Sequence, residues 1–391
     1  MSVEVRPFGV KCNIQCKYCY QNTERDSGNL LHSYDLAEIM KSLEKESKKF
    51  SLFGGEPLLM PADDLEIIFK WGYERFGVNS IQTNATLISD EHIQLFKKYN
   101  VAVGISIDGP DELNDARWAG SLARTRKATG NIQSAIELLV HENLTPSLIV
   151  TLHRQNSNKA ALPRMNDWFN YLDDLGIRHV RLHILEIDSE HVEDNFALST
   201  TENYEALLNF YNLSASLKSI KFDLFDEMRN LLLGNDSHSS CVWNACDPYT
   251  TRAVQGIEGN GQRSNCTRTN KDGVNFVKAN QQSFERYIAL YYAPQKFGGC
   301  NGCRFFAMCK GQCPGTSIEG DWRYRTRYCE VWKLLFERIE SELESEQITP
   351  LSRQALRSDV EKFLIANWSQ KKSCSLAYAL ECAQKEANAI N

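Results

Sequence analysis

Three cysteines, Cys12, Cys16 and Cys19, fall within eight residues near the start of the chain, at spacings of four and three. No other feature restricts the fold as much, because a loop this tight aims its thiols at one point. A cubane iron-sulfur cluster offers four iron corners and is normally held by four thiolates. This segment supplies three, which leaves one iron open, as a catalytic zinc keeps one position clear of protein ligands so that it can bind something that reacts. Zinc itself, a disulfide framework and plain buried cysteines are the alternatives. Zinc usually takes four ligands, and the next candidate, His32, lies thirteen residues beyond Cys19. A disulfide framework needs an oxidising compartment, and the first ten residues are neither a charged leader nor an apolar stretch.

The 391 residues, 42% of them hydrophobic, suffice for a large core in two or three domains. A formal charge of -6 gives no general attraction for phosphate backbones, so nucleic acid is not the expected partner. No run of eighteen apolar residues occurs, so a soluble, cytoplasmic protein without a membrane partner is expected. Thirteen cysteines say more: in a reducing compartment, dense cysteines at short intervals point to metal. They form three groups, 12 to 19, 241 to 329, and the pair Cys374 and Cys382. The cysteine-free stretch between the first two is expected to be one folded domain.

Short β-rich runs alternate with helical patterns from Val3 to about Leu217. Strands are expected at Glu4 to Val10, Phe50 to Phe53, Ser80 to Thr83, Val101 to Ile107, Ser147 to Leu152 and His179 to Leu185. Helices are expected at Leu36 to Ser47, Asp63 to Tyr73, Asp90 to Lys98 (with Ser89 as N-cap), Asn131 to His141, Met165 to Leu175 and Thr201 to Leu213. Strands alternating with helices of this length imply an α/β fold with a parallel sheet and right-handed crossovers. Six such units suggest a partial (βα)6 barrel over residues 1–220, with its reactive groups at the C-terminal ends of the strands.

The cysteine loop follows the first strand, and Phe53-Gly54-Gly55-Glu56-Pro57 follows the second. Two glycines there permit a close approach by a ligand, and Glu56 can accept a charge-assisted hydrogen bond from an ammonium. Gln82-Thr83-Asn84 closes the third strand and Ser106-Ile107-Asp108-Gly109 the fourth. The CxxxCxxC loop with GGEP one unit later resembles the signature of the radical S-adenosylmethionine (radical SAM) enzymes. The resemblance implies that Cys12, Cys16 and Cys19 hold a 4Fe-4S cluster whose open iron binds SAM, and that an electron from it splits SAM into methionine and a 5′-deoxyadenosyl radical. It implies further that Gly54, Gly55 and Glu56 hold the amino end of SAM. Asn84, Ser106 and Asp108, in segments resembling QTN and SIDG, would help to place it, although turn and cap chemistry favours the same residue types. Tyr18 matches the family's aromatic position beside the adenine, and packing against the loop accounts for it equally well.

Residues 221–240 read as an amphipathic stretch followed by a break at Gly234-Asn235-Asp236-Ser237. Eight cysteines follow between 241 and 329, which suits two four-thiolate clusters. The run Cys300-x2-Cys303-x5-Cys309-x3-Cys313 resembles the core of the SPASM domain, a loop-rich extension of many radical SAM enzymes that carries two auxiliary clusters, here expected over 241–330. The resemblance assigns Cys241, Cys246, Cys266 and Cys313 to the first auxiliary cluster, and Cys300, Cys303, Cys309 and Cys329 to the second, for three 4Fe-4S clusters in all. Some relatives hold the first auxiliary cluster with three cysteines, which leaves the part of Cys241 open. Two structural zinc sites are the alternative for this region. Trp322 to Tyr328, WRYRTRY, alternates as a strand with one basic face, suited to nucleic acid, to an acidic peptide or simply to solvent. The segment 331–391 is expected to be helical, at Val331 to Leu343, Ser352 to Asn367 and Ala377 to Ala389, with Cys374 and Cys382 as buried thiols.

The resemblance therefore implies a radical SAM/SPASM oxidoreductase acting on a peptide or protein substrate, with a flavodoxin or ferredoxin as electron donor. Its relatives mostly modify ribosomally made peptides, so a maturase forming a carbon-carbon, thioether or ether crosslink is expected. The alternative resembles the anaerobic sulfatase-maturating enzymes, which oxidise Ser or Cys to formylglycine and need a carboxylate base, for which Asp247 is the candidate. A non-catalytic zinc protein is the remote alternative. Many crosslinking maturases carry a leader-binding extension before the barrel, so recognition is expected here of the barrel mouth, the C-terminal helices or a separate protein.

Overall fold

In the computed structural model, residues 3–21, 29–247, 255–269, 282–293 and 299–390 are described. The chain divides into two compact units, Met1–Asp223 with Val254–Val277, and Leu224–Ala253 with Lys278–Asn391.

The first unit is built on a nine-stranded sheet: β1 (Val3–Arg6), β2 (Phe50–Leu52), β3 (Asn79–Thr83), β4 (Val101–Ser106), β5 (Ser147–Leu152), β6 (His179–Ile184), β7 (Lys221–Phe222), β8 (Gln255–Glu258) and β9 (Arg263–Ser264). Their order is β7-β6-β5-β4-β3-β2-β1-β8-β9, parallel throughout except for the β8–β9 pair. The six expected strands and their crossover helices are all present, as a parallel ladder with covered outer face requires. β7 extends the ladder beyond β6, and β8 lies on the far side of β1.

Helix Leu122–His141 begins nine residues before the expected Asn131, because its first turns bury polar residues that hide the apolar stripe. Thr125 donates to the Ser121 carbonyl (2.8 Å) and Thr129 to that of Thr125 (3.0 Å), which makes their burial affordable. The N-cap at Ser89 is a full capping box with His92.

Alternation along the strands separates two faces. Val5, Leu52, Ile81, Val103, Val150 and Leu182 are buried. Glu4, Ser51, Gln82, Ser106, Thr151 and His183 occupy the opposite face and are half-buried. The inner face is thus polar and reached by solvent, unlike the packed interior of a closed eight-stranded barrel.

The cysteine loop is held from two sides. Gly55 N–H donates to the Gly9 carbonyl (2.8 Å) and Glu56 N–H to that of Lys11 (3.0 Å). A Cβ on Gly55 would lie 1.8 Å from the Lys11 carbonyl oxygen, and one on Gly54, at φ +113°, would lie 2.8 Å from that of Gly9. On the other side Gln15 N–H donates to the Trp118 carbonyl (2.6 Å) and Lys17 N–H to that of Ala116 (2.8 Å), with the Lys17 ammonium 4.3 Å over the Trp118 ring. The two glycines serve the approach of the cysteine loop itself.

The second unit contains helices Glu285–Tyr292, Cys329–Ser345, Arg357–Ser369 and Leu376–Ile390. Asp236, in the expected break, accepts from the backbone N–H of Leu376 (2.6 Å) and so caps the last helix. Two expectations are corrected. Residues 255–269, with Cys266, fold with the first unit as β8, β9 and the turn after them, so 241–330 is not one unit. Trp322 to Tyr328 is a series of turns with one isolated bridge, Ser317 to Thr326. Asp321 accepts from Arg323 N–H (3.0 Å), and Arg286 takes the carbonyls of Trp322 (2.6 Å) and Tyr324 (2.9 Å), which a strand would need for its ladder. Among the described residues no helix is long and apolar enough to cross a membrane.

Gly55→Ala is expected to displace the cysteine loop while leaving the sheet formed. Circular dichroism should then match the wild type, with less iron bound per chain after anaerobic reconstitution; equal iron loading would show that this contact does not place the loop.

Candidate active site

Cys12, Cys16 and Cys19 lie in the loop after β1, at the C-terminal edge of the sheet where β2, β3 and β4 also end. Cys19 N–H donates to the Cys16 carbonyl (3.1 Å), which curls the loop. Burial pushes Cys12 up to about 11 and Cys19 up to about 12 and raises Cys16, and Cys16 in turn raises both Cys12 and Cys19 further. Such a trio resists ionisation until a cation arrives, after which coordination deprotonates the thiols outright. Among the described residues no three Cys, His, Asp or Glu side chains converge as ligands of a single ion do. Thiols sharing a multi-iron cluster each bind a different metal and stand wider apart than the ~3.8 Å that Zn–S bonds of about 2.3 Å impose. Three soft thiol donors in one loop are a donor set that suits iron-sulfur ligation.

Glu56 is buried and clamps the edge of the sheet. It accepts from Leu58 N–H (3.0 Å), Thr83 hydroxyl (2.6 Å) and Asn84 N–H (2.8 Å). Burial raises its carboxyl against the lowering pull of these donors. Asn84 in turn donates from Nδ2 to Asn13 Oδ1 (2.8 Å) and approaches Cys12 Sγ at 3.5 Å. Gln82 donates to Ser106 Oγ (2.8 Å), and only a glycine at 104 lets it lie there, since a Cβ would be 2.2 Å from its Oε1.

Tyr18 and Asp108 are brought together away from Glu56. The Tyr18 hydroxyl donates to Asp108 Oδ2, Arg117 Nη1 donates to the Tyr18 oxygen (3.3 Å), and Thr151 N–H donates to Asp108 Oδ1 (3.0 Å). Burial would raise the Asp108 carboxyl, but His153, Arg117 and Tyr18 outweigh it and hold it below the ordinary range. The Tyr18 ring packs 5.3 Å from His153 and 6.4 Å from Phe196, in one apolar cluster with Ala116 and Leu185. Tyr18 thus packs among residues that flank the loop. Arg117 and His153 carry no motif; an arginine next to a tryptophan after the SIDG turn was the one available signal for the first.

A second polar group lies on the inner face of the sheet. Arg6 pairs with Glu258 (2.9 Å) and Arg268 with Glu186 (3.0 Å), so the turn after β9 joins the end of β6. Burial raises Glu4 to about 7, against the pull of Arg6 and Arg268. His183 is held well below its usual value by burial and then by Arg268 and Arg181, so its imidazole is neutral at neutral pH. The Tyr20 hydroxyl, one residue past Cys19, lies 3.5 Å from Thr267 Oγ1.

In the second unit, Cys300, Cys303, Cys309 and Cys329 line one cavity, walled by Phe305, Phe306, Trp332 and Phe336. Burial raises Cys300 to about 12 and lifts Cys309 and Cys329, and the neighbouring Cys303 raises all three further. A cavity with four thiols and no other acidic ligand fits a fully ligated cluster. Cys241, Cys246 and Cys313 also belong to this unit, whereas Cys266 belongs to the first. Asp247 is buried. All thirteen cysteines are outside disulfides.

Residues 7–161 match the radical SAM superfamily. A cysteine-type anaerobic sulfatase-maturating enzyme of Clostridium novyi is 25% identical over 374 residues, covering 88% of this chain and 96% of that protein. A serine-type enzyme of Bacteroides thetaiotaomicron is 26% identical over 226 residues, 54% of this chain and 53% of the relative. The solved structure of native anSMEcpe with bound AdoMet aligns with a TM-score of 0.67 at 20% identity, covering 88% of this chain and 98% of that one. Streptococcus suis SuiB aligns at 0.57 with 15% identity, over 84% and 77%. The clustered thiols after β1, the parallel sheet beneath them and the superfamily match agree: residues 7–161 are a radical SAM domain.

Proposed function

We propose that this enzyme cleaves SAM reductively and oxidises a side chain of a peptide or protein. The observation that carries this is the grouping of three thiols at the mouth of a parallel sheet whose inner face is polar and open to solvent. When bound at Cys12, Cys16 and Cys19, a 4Fe-4S cluster supplies the electron that splits SAM into methionine and a radical. The chain's own part is placement. Gly54 and Gly55 seat the loop, Asn84 lies against Cys12, and Ser106 presents a hydroxyl at the end of β4. Glu56 has three of its acceptor positions taken, which leaves Oε2 one position toward the SAM ammonium. Tyr18 and Asp108 support the loop from below.

The second unit is read as SPASM-like, with Cys300, Cys303, Cys309 and Cys329 holding one auxiliary cluster. Cys241, Cys246, Cys313 and, from the first unit, Cys266 are assigned to the other. A flavodoxin or ferredoxin is the proposed donor. Cysteine- and serine-type sulfatase-maturating relatives, and a neighbour solved with a Cp18Cys peptide, support oxidation of Cys or Ser to formylglycine. Peptide crosslinking, which the sequence resemblance implies, is the second reading.

Reconstituted enzyme, reductant, SAM and Cys- or Ser-bearing sulfatase-type peptides should yield 5′-deoxyadenosine and an aldehyde trapped by a hydrazide. 5′-Deoxyadenosine without aldehyde would turn the choice toward crosslinking, and no 5′-deoxyadenosine at all would end the radical reading. Cys309→Ala should lower iron from about twelve to about eight per chain and unfold part of the second unit on heating, because cluster assembly contributes folding energy. Unchanged iron and melting would refute that assignment.

A further inference from the structure

Among the described residues, Glu4 lies beside charged residues that are paired with one another. It shares the inner face of β1 with Arg6, two residues on, opposite the buried Val3 and Val5. Its Oε2 is buried without a hydrogen-bond partner. The charges that face it are accounted for: Arg6 on its own strand is paired with Glu258 of β8, and Arg268, after β9, with Glu186 after β6. Tyr20 and the neutral His183 complete the group. Two guanidiniums thus already meet two carboxylates, and the Glu4 carboxylate is one negative charge in excess. An unpaired acceptor of this kind, on the polar inner face of the sheet, is suited to take a proton from something that enters. Tyr20 connects the group to the reactive loop, since it follows Cys19 directly and feels both Glu4 and Arg268.

We propose that Glu4 is the catalytic base of this enzyme, receiving the proton that the target side chain gives up inside the sheet. The inference rests on the peptide-oxidation reading above. There the target carbon loses a hydrogen atom to the 5′-deoxyadenosyl radical. The carbon radical next to an S–H or O–H group then loses one electron to an iron-sulfur acceptor and the heteroatom's proton to the Glu4 carboxylate. A C=S or C=O bond forms, and the C=S product is hydrolysed by water to the aldehyde. A base that titrates near neutrality can both take this proton and return it to solvent, and Glu4 is raised to about 7.

Two measurements on the reconstituted holoenzyme test this. The first needs no substrate: an infrared titration, wild type minus Glu4→Gln, should show one protonated-carboxyl band disappearing near pH 7, and its disappearance in the ordinary carboxylate range overturns the proposal. The second uses the sulfatase-type peptides and follows aldehyde formed per 5′-deoxyadenosine. Glu4→Gln should lower this ratio by about a hundredfold or more and flatten its pH dependence, while Glu4→Asp keeps the ratio but moves its midpoint. A ratio in Glu4→Gln within about twofold of wild type removes Glu4 from the reaction. A wild type that oxidises none of these peptides counts against the function, and the infrared titration still decides Glu4; if Glu4→Gln does not fold, Glu4→Asp serves as the subtracted form.

Discussion

Three thiols crowded into eight residues repel one another once ionised, and the first unit is organised around keeping them together before any metal arrives. Their loop has no secondary structure, so its backbone groups must find partners elsewhere. They find them in Gly54 to Glu56 on one side and Ala116 to Trp118 on the other. Neither brace works without a local concession. The first needs two glycines, because the Lys11 carbonyl occupies the space of a side chain at 55. The second places Arg117 beside Cys16 and Tyr18, where its charge favours the thiolate that burial opposes. Metal binding then has less ordering left to do, since the loop is fixed before the ligands close.

What could be read from sequence follows from how local each constraint is. Cluster chemistry dictates residue type and spacing within a few positions, so Cys12 to Cys19 and Cys300 to Cys313 are visible as strings. The sheet is visible because parallel strands alternate with long helices, and five of the six expected helices begin within a residue or a few of where they lie. The purpose of Gly55 is not visible in this way, since what comes close to it is another part of the chain. Thr125 and Thr129 hide a helical face by satisfying their hydroxyls on their own backbone. WRYRTRY misleads for the converse reason: its period is that of a strand, but Asp321 and Arg286 take the backbone groups a ladder would use. Cys266 sits among the later cysteines in sequence, yet a strand pair added to β1 carries its segment into the first unit. Glu4 and His183 are polar residues on strands whose period is set by Val and Leu, and no motif marks them.

The inner face of the sheet carries the remaining argument. A barrel meant only for stability fills its interior with branched apolar side chains. This one presents Glu4, Gln82, Ser106, Thr151 and His183 instead, and keeps a carboxylate oxygen there without a partner. Raising Glu4 from 4.5 to about 7 corresponds to as much as about 3 kcal/mol of differential interaction between its two forms. The folded state favours the protonated form, so that contribution is complete below the unfolded value and is lost as the pH climbs through about 7. At neutral pH the fold therefore carries a group that is becoming unfavourable to it. Glutamine in its place would hydrogen-bond as well and cost nothing on titration. A polar interior also gives up the burial energy that Leu or Val would contribute, roughly 1.5–3 kcal/mol for each fully buried side chain. Concessions of both kinds, gathered on the inner face of the sheet that carries the thiols at its edge, are what the proposed radical chemistry on a polar side chain would require.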